Sequence, residues 1–125
     1  KNIIISNAKR LDVYPSKTIE SEVLKAFQEE RIPKELSIPN RVILGGGGEK
    51  SAQILSNIIN KISSKGIIVI PLATLQSINK LEGILKSKDC KISISQHQSY
   101  RGVLLKNDIR LSPLNPVFVI KAKFN

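Results

Sequence analysis

Pro39-Asn40-Arg41-Val42-Ile43-Leu44-Gly45-Gly46-Gly47-Gly48-Glu49-Lys50-Ser51 is the stretch on which the fold turns. A proline and an asparagine launch a short apolar run. Four consecutive glycines then give up every side chain, and Ala52, Leu55, Ile58, Ile59 and Ile62 follow at helical spacing. A strand that enters a glycine turn and leaves into a helix N-terminus is the unit from which α/β proteins build ligand sites. One glycine would serve a tight turn, so four favour close approach of backbone to a ligand. Two familiar owners of such a loop fail. The end of a phosphate-binding P-loop is approached by Gly48-Glu49-Lys50-Ser51, but Glu49 stands where that motif needs glycine. The dinucleotide fingerprint needs an acid at the end of the next strand, where Ile70-Pro71 stands instead.

Upstream, Asn2 to Ser6 carries Ile3-Ile4-Ile5, a β-branched run suited to a buried strand that ends at Asn7. Pro15-Ser16, with Ser16 or Thr18 as N-cap, opens a helical pattern whose stripe is Ile19, Val23 and Phe27. Pro33 and Pro39 bracket a connector. Downstream, Ser63-Ser64-Lys65-Gly66 stops the helix after the glycines, with Gly66 as the residue that turns left-handed. Gly66 to Ile70 reads as a second buried strand, ended by Pro71. Thr74 caps a helix with the stripe Leu75, Ile78, Leu81 and Leu85. Lys91 to Ser95 alternates as a strand with one wet face. Tyr100 to Asn115 reads as a loop, and Val117-Phe118-Val119-Ile120 as the last strand. Strands alternating with helices predict a mostly parallel sheet with helices on its faces. The last two strands, with no helix between them, should be antiparallel neighbours at one edge.

The 125 residues fit one domain. Aromatics are 4% and Trp and Met are absent, so the core must be built from Ile, Leu and Val. Lone Cys90 cannot form an internal disulfide. No apolar run approaches a membrane span, and no basic-then-apolar leader opens the chain, so the expected location is cytoplasmic. The net charge of +10 points to an acidic partner: nucleic acid, anionic lipid, or a phosphate or polycarboxylate substrate. A basic, well-solvated surface is the plain alternative. His97, the single histidine, has no cysteine or acidic cluster at ligand spacing, and no Gly-x-Ser-x-Gly elbow accompanies it. A bound metal is not expected. Asn7, at a strand end, could read an adenine edge or make an Asx turn. Arg101, Lys106 and Arg110 in the long segment before the last strand suit carboxylates, or simply solvate a loop.

From Pro39 onward the sequence resembles a known family. Pro39-Asn40-Arg41-Val42-Ile43-Leu44 with its glycines is similar to the Pro-Asp-Arg-Val-Phe-Ile-Gly-Gly-Ser-Gly stretch of the decarboxylating precorrin methyltransferases of cobalamin biosynthesis (the precorrin-6Y methylase family). Gly66 to Ile70 with Thr74-Leu75 resembles that family's next strand and helix start. Arg101, Arg110-Leu111 and Leu114-Asn115-Pro116-Val117-Phe118-Val119-Ile120 resemble its ending. Ile3-Ile4-Ile5-Ser6-Asn7-Ala8 stands where the family has a strand ending in Gly-Asp-Ala.

The resemblance implies a class I methyltransferase fold, Rossmann-like, using S-adenosylmethionine as methyl donor. It implies methylation of a precorrin coupled to loss of carbon dioxide from an acetate side chain. Cofactor contacts would fall to Asn7, Ala8, Gly45, Gly46, Gly47 and Gly48, and substrate contacts to Thr74, Arg101, Arg110 and Asn115. The partner would be a polycarboxylate tetrapyrrole. The family's main glycine-rich cofactor loop does not occur upstream of Pro39. We therefore expect a single but partial domain over 1–125, with 39–125 family-like and 1–38 poorly matched or inserted. The strand Arg41 to Leu44 would then have a free edge, which predicts self-association or a completing N-terminal portion. Two other readings stay open: an RNA methyltransferase fragment, weakened by the few aromatics available for base stacking, and a non-catalytic α/β binding or assembly domain.

Overall fold

The structure is a computed structural model that describes residues 2–36, 38–46 and 48–125. The chain divides into two compact units, Lys1–Ser37 and Ile38–Asn125.

The first unit is helical. Helix α1 spans Asn2–Leu11, and α2 spans Val23–Gln28. The strand expected at Asn2 to Ser6 is therefore a helix. The isoleucine run has strand propensity, but it sits in a segment with Lys9 and Arg10 in its last turn, where cations favour the helix dipole. Asp12 turns left-handed (φ 51°), and the Val13 N–H donates to the Ala8 carbonyl at 3.1 Å, closing the helix. Glu30 (φ 50°) does the same after α2, where the Arg31 N–H reaches the Ala26 carbonyl. The helix expected around Ile19, Val23 and Phe27 shrinks to α2. Its start is fixed by Glu22, whose carboxylate accepts from the Lys25 N–H at 3.0 Å, so Ile19 falls outside.

The second unit holds a four-stranded sheet. Its strands are β1 (Arg41–Ile43), β2 (Ile67–Leu72), β3 (Cys90–His97) and β6 (Val117–Phe124), in the order β1-β2-β6-β3. Helix α3 (Ser51–Ile59) joins β1 to β2, and α4 (Leu75–Lys86) joins β2 to β3. Only β1 and β2 pair in parallel. Strand β6 returns antiparallel and inserts between β2 and β3. The pairings are thus mostly antiparallel, a correction to the expected parallel sheet, although β1, β2 and β3 point the same way. The expected antiparallel last pair, with one member at an edge, is β3 and β6.

Helices α3 and α4 lay their apolar stripes on one sheet face. Leu55, Leu81 and Leu85 are fully buried together with Ile68, Ile70 and Ile120. Leu75 leaves the expected stripe and is exposed. Pro71 does not end pairing: it lies beyond the end of β1, so β2 needs no donor on that side and runs on to Leu72 against Phe118. Gly66 is not the left-handed residue either. Lys65 is (φ 61°), while Gly66 is required because a Cβ there would lie 2.5 Å from Ile62 Cγ1 and 2.8 Å from the Ser63 carbonyl.

The segment Tyr100 to Asn115 is not a loop. It folds into a hairpin, β4 (Tyr100–Leu105) against β5 (Asp108–Pro113), turning at Lys106-Asn107. Gly102, Pro113 and Asn107-Asp108 suggested irregular structure, but Val103-Leu104-Leu105 and Ile109-Arg110-Leu111 carry strand propensity on both sides of the two-residue Lys106-Asn107 turn.

Candidate functional site at the carboxyl ends of the strands

β1 and β2 run toward one end of the sheet, where ligands bind in open α/β sheets. At that end the glycine turn leaves β1, Thr74 follows β2, and Asn115 precedes β6. The hairpin rises from the same end, because His97 at the close of β3 pairs with Val117 at the start of β6. Its base is tied by the Leu114 N–H donating to the Ser99 carbonyl at 2.9 Å and by the Gln98 side-chain amide donating to the Leu114 carbonyl.

Within the glycine turn, Gly46 (φ 82°) and Gly48 (φ 47°) occupy the left-handed region, which a side chain strains. A Cβ at Gly45, Gly46 or Gly48 would meet nothing within 4 Å. Gly46 and Gly48 are therefore demanded by backbone turn, and the space beside Gly45, Gly46 and Gly48 is open to a ligand. Gly47 lies outside the described residues. A 3₁₀ turn, Gly48–Lys50, hands the chain into α3, which has no side-chain cap bond at its start.

Thr74 is the N-cap of α4, as its sequence position predicted. Its hydroxyl accepts from the Ser77 N–H at 3.3 Å and donates to Ser77 Oγ at 2.8 Å. The cap therefore takes its proton and one lone pair. Asn115 is exposed beside the hairpin base. Arg101 pairs with Ser112 and Arg110 with Val103, so both arginines stand on one face of the hairpin, two positions apart diagonally. Both are exposed. Tyr100, Leu104, Ile109 and Leu111 occupy the opposite face and are exposed as well. The ribbon is thus cationic on one side and apolar on the other, which only its register reveals.

Asn7 and Ala8 belong to the other unit. They sit on α1, with Asn7 exposed and Ala8 buried, and line an open cleft of about 400 Å³ with Ile4, Leu11 and Tyr14. They lie within a helix and do not end a strand, a correction to the strand-end position expected for Asn7.

One polar pair escaped the sequence reading. Ser95 Oγ lies 3.0 Å from His97 Nε2 on the exposed edge strand β3. Their i, i+2 spacing on one strand was the available signal. Among the described residues, no group of three His, Cys, Asp or Glu side chains could hold a metal ion. Among the described residues, no helix is long and apolar enough to cross a membrane.

No protein-family model matches the chain. Over 93 residues, 74% of its length, it is 36% identical to a Pyrobaculum aerophilum protein named probable cobalt-precorrin-6B C(15)-methyltransferase (decarboxylating). It covers 47% of that relative, so the chain spans about half the length of the curated protein it matches. Among solved structures it superposes on a precorrin-6Y C5,15-methyltransferase from Geobacter metallireducens with a TM-score of 0.79 at 21% identity, covering 98% of this chain and 61% of that one. A precorrin 8W decarboxylase from Methanobacterium thermoautotrophicum gives 0.76 at 22% identity, covering 94% and 60%. A Thermotoga maritima S-adenosylmethionine-dependent O-methyltransferase gives 0.62 at 12% identity, covering 95% and 43%. The fold is that of the class I methyltransferases.

Proposed function

We propose that this chain, a homologue of the decarboxylating precorrin methyltransferases, serves S-adenosylmethionine-dependent methylation of a precorrin, coupled to loss of carbon dioxide, in cobalamin biosynthesis. The observation that carries the proposal is the 36% identity over 74% of the chain. The three blocks that resemble the family converge on one end of the sheet, which supports the same reading.

S-adenosylmethionine, when bound, supplies an electrophilic methyl group. The glycine turn fits such a group: its backbone is left-handed at Gly46 and Gly48, and no side chain fills the space above it. Gly45, Gly46 and Gly48 would offer backbone at the edge of the cofactor. Arg101 and Arg110 would hold carboxylates of the tetrapyrrole from one face of the hairpin, where guanidinium groups can bond carboxylates bidentately. Asn115 would offer an amide at the hairpin base, and Thr74 its remaining lone pair. The chain's work is positioning. We read 1–125 as a partial methyltransferase region whose cofactor site is completed by another segment or a second copy.

Calorimetric titration of S-adenosylmethionine, with and without a polycarboxylate corrinoid, tests this. Corrinoid binding that weakens several-fold in the Arg101→Gln, Arg110→Gln double variant is expected. A chain that binds neither compound, or whose corrinoid affinity ignores both arginines, would sink the reading.

A further inference from the structure

The sheet has a second chemical end. On the face away from α3 and α4, the register places Arg41, Ile67, Lys123 and Lys91 in one row across all four strands. The next row is Ile43, Val69, Lys121 and Ser93. Neighbouring strands lie about 4.8 Å apart, so the first row spans about 14 Å. Arg41, Lys65 and Lys123, with Ile67, Phe124 and Asn125, line an open cavity of about 630 Å³. Arg41, Lys65, Lys91, Lys121 and Lys123 are all exposed.

Three features separate this cluster from an ordinary solvated surface. Lys91 and Lys123 stand directly opposite each other on paired strands, an arrangement that destabilises a sheet. Among the described residues, none of the five cations is drawn into an ion pair, and the Asp89 carboxylate instead accepts from the Asn125 amide at 2.6 Å. Protection of sheet edges accounts for Arg41 on β1 and Lys91 on β3, but not for Lys121 and Lys123 on the central strand β6. Arg41 donates one guanidinium N–H to the Asn40 carbonyl at 2.7 Å, which holds its head near the backbone and leaves its other donors free.

We propose that Arg41, Lys65, Lys91, Lys121 and Lys123 form a binding site for a linear polyphosphate anion, either inorganic or the phosphate chain of a nucleotide. Arg41, Lys123 and Lys91 share one row, which matches a line of charges rather than the fringe of a ring, with Lys65 and Lys121 beside it. Lysine ammonium groups act as point charges for phosphate, and each phosphate brings more charge to the row than a carboxylate does. The site lies where β1 and β2 begin, whereas the glycine turn lies where β1 ends. It is independent of the proposed methyl-transfer cleft.

The test is calorimetric titration of the full chain with tripolyphosphate, ATP and citrate at low salt. Tripolyphosphate should bind, and weaken about tenfold as ionic strength rises to ~0.2 M, where the screening length is ~8 Å or less. ATP competing for the site, with citrate at least tenfold weaker, identifies the phosphate chain as the ligand. The Lys91→Gln, Lys123→Gln double variant should lose about tenfold or more, a change equivalent to 1.4 kcal/mol. Lys80→Gln on the exposed surface of α4 should stay within about twofold, so that loss of a surface lysine outside the row is controlled. Melting of the double variant at or above that of the parent separates lost binding from lost fold. The proposal is overturned by no tripolyphosphate binding, by equal citrate affinity, by equal loss in Lys80→Gln, or by an RNA oligonucleotide that binds without competition from tripolyphosphate. The corrinoid titration of the Arg101 and Arg110 variants fails or succeeds separately.

Discussion

Gly66 shows how a residue can be legible as special while its reason is not. Its position after Ser63-Ser64-Lys65 suggested a left-handed helix stop, but Lys65 takes that conformation and Gly66 is held by packing. The Ser63 carbonyl at 2.8 Å is backbone and cannot swing away as the end of Ile62 can. Gly66→Ala should therefore destabilise the fold by about 1–3 kcal/mol, read by urea denaturation, as overpacked sites do; an unchanged midpoint would contradict the contact. Cys90 offers a pH-dependent check. Burial first, and then the Asp89 carboxylate, push its thiol above the ordinary 9.0, and its Sγ lies 3.4 Å from the Leu85 carbonyl oxygen. The folded chain thus holds the thiol proton more tightly than the unfolded chain. That stabilisation is full below the unfolded value and is lost as pH rises through the folded one. Alkylation of Cys90 at pH 8 should run slower in the native chain than in urea, and the gap should narrow well above pH 9. Thr74, in contrast, was readable as a cap from its place before an apolar stripe, since capping is local chemistry.

Each element settles a different competition between local and tertiary preference. Helix α4 follows its sequence closely: the cap, the stripe Ile78, Leu81 and Leu85, and the Lys86–Glu82 ion pair at 3.1 Å agree. Thr74→Ala should cost about 1 kcal/mol in thermal or chaotropic unfolding; a neutral result would mean that Ser77 supplies the cap instead. The hairpin β4–β5 is the opposite case. It carries strand-forming residues, yet they read as a loop because neither face alternates cleanly into a core. All of β4 is exposed, and Tyr100, Leu104, Ile109 and Leu111 share one face. An isolated two-stranded ribbon is marginal in water. In dilute solution its amides should exchange hydrogen near the unprotected rate, while those of β2 and β6 are the slowest. Protection in β4 and β5 that grows with protein concentration would show instead that copies cover this face. Arg101 and Arg110 were both singled out from sequence, but their common face follows from the Arg101–Ser112 and Val103–Arg110 register, which no local pattern states.

The whole molecule divides its core unequally. Among the described residues of the unit Lys1–Ser37 the buried apolar ones are Ala8 and Ala26, whereas Leu55, Ile68, Ile70, Leu81, Leu85, Ile120 and Ala122 form the centre of the other unit. A chain beginning at Ile38 should melt cooperatively, with most of the parent's thermal stability and the same slow-exchanging amides in β2 and β6. A molten, non-cooperative product would show that the helical unit is required for folding. Sequence alone determined the turn at Gly46 and Gly48, α3, α4, their stripes apart from Ile62 and Leu75, and the strands β1, β2, β3 and β6, because caps, glycine conformations and periodic apolar positions act over a few residues. It also carried the family resemblance, since the matching blocks are contiguous runs. Tertiary structure decided that β6 inserts antiparallel between β2 and β3 and that two arginines share one hairpin face. It also decided that Arg41, Lys91 and Lys123 fall in one row across the sheet. Those outcomes depend on strand pairing between residues far apart in the chain, and pairing register is a property of the assembled sheet rather than of any segment.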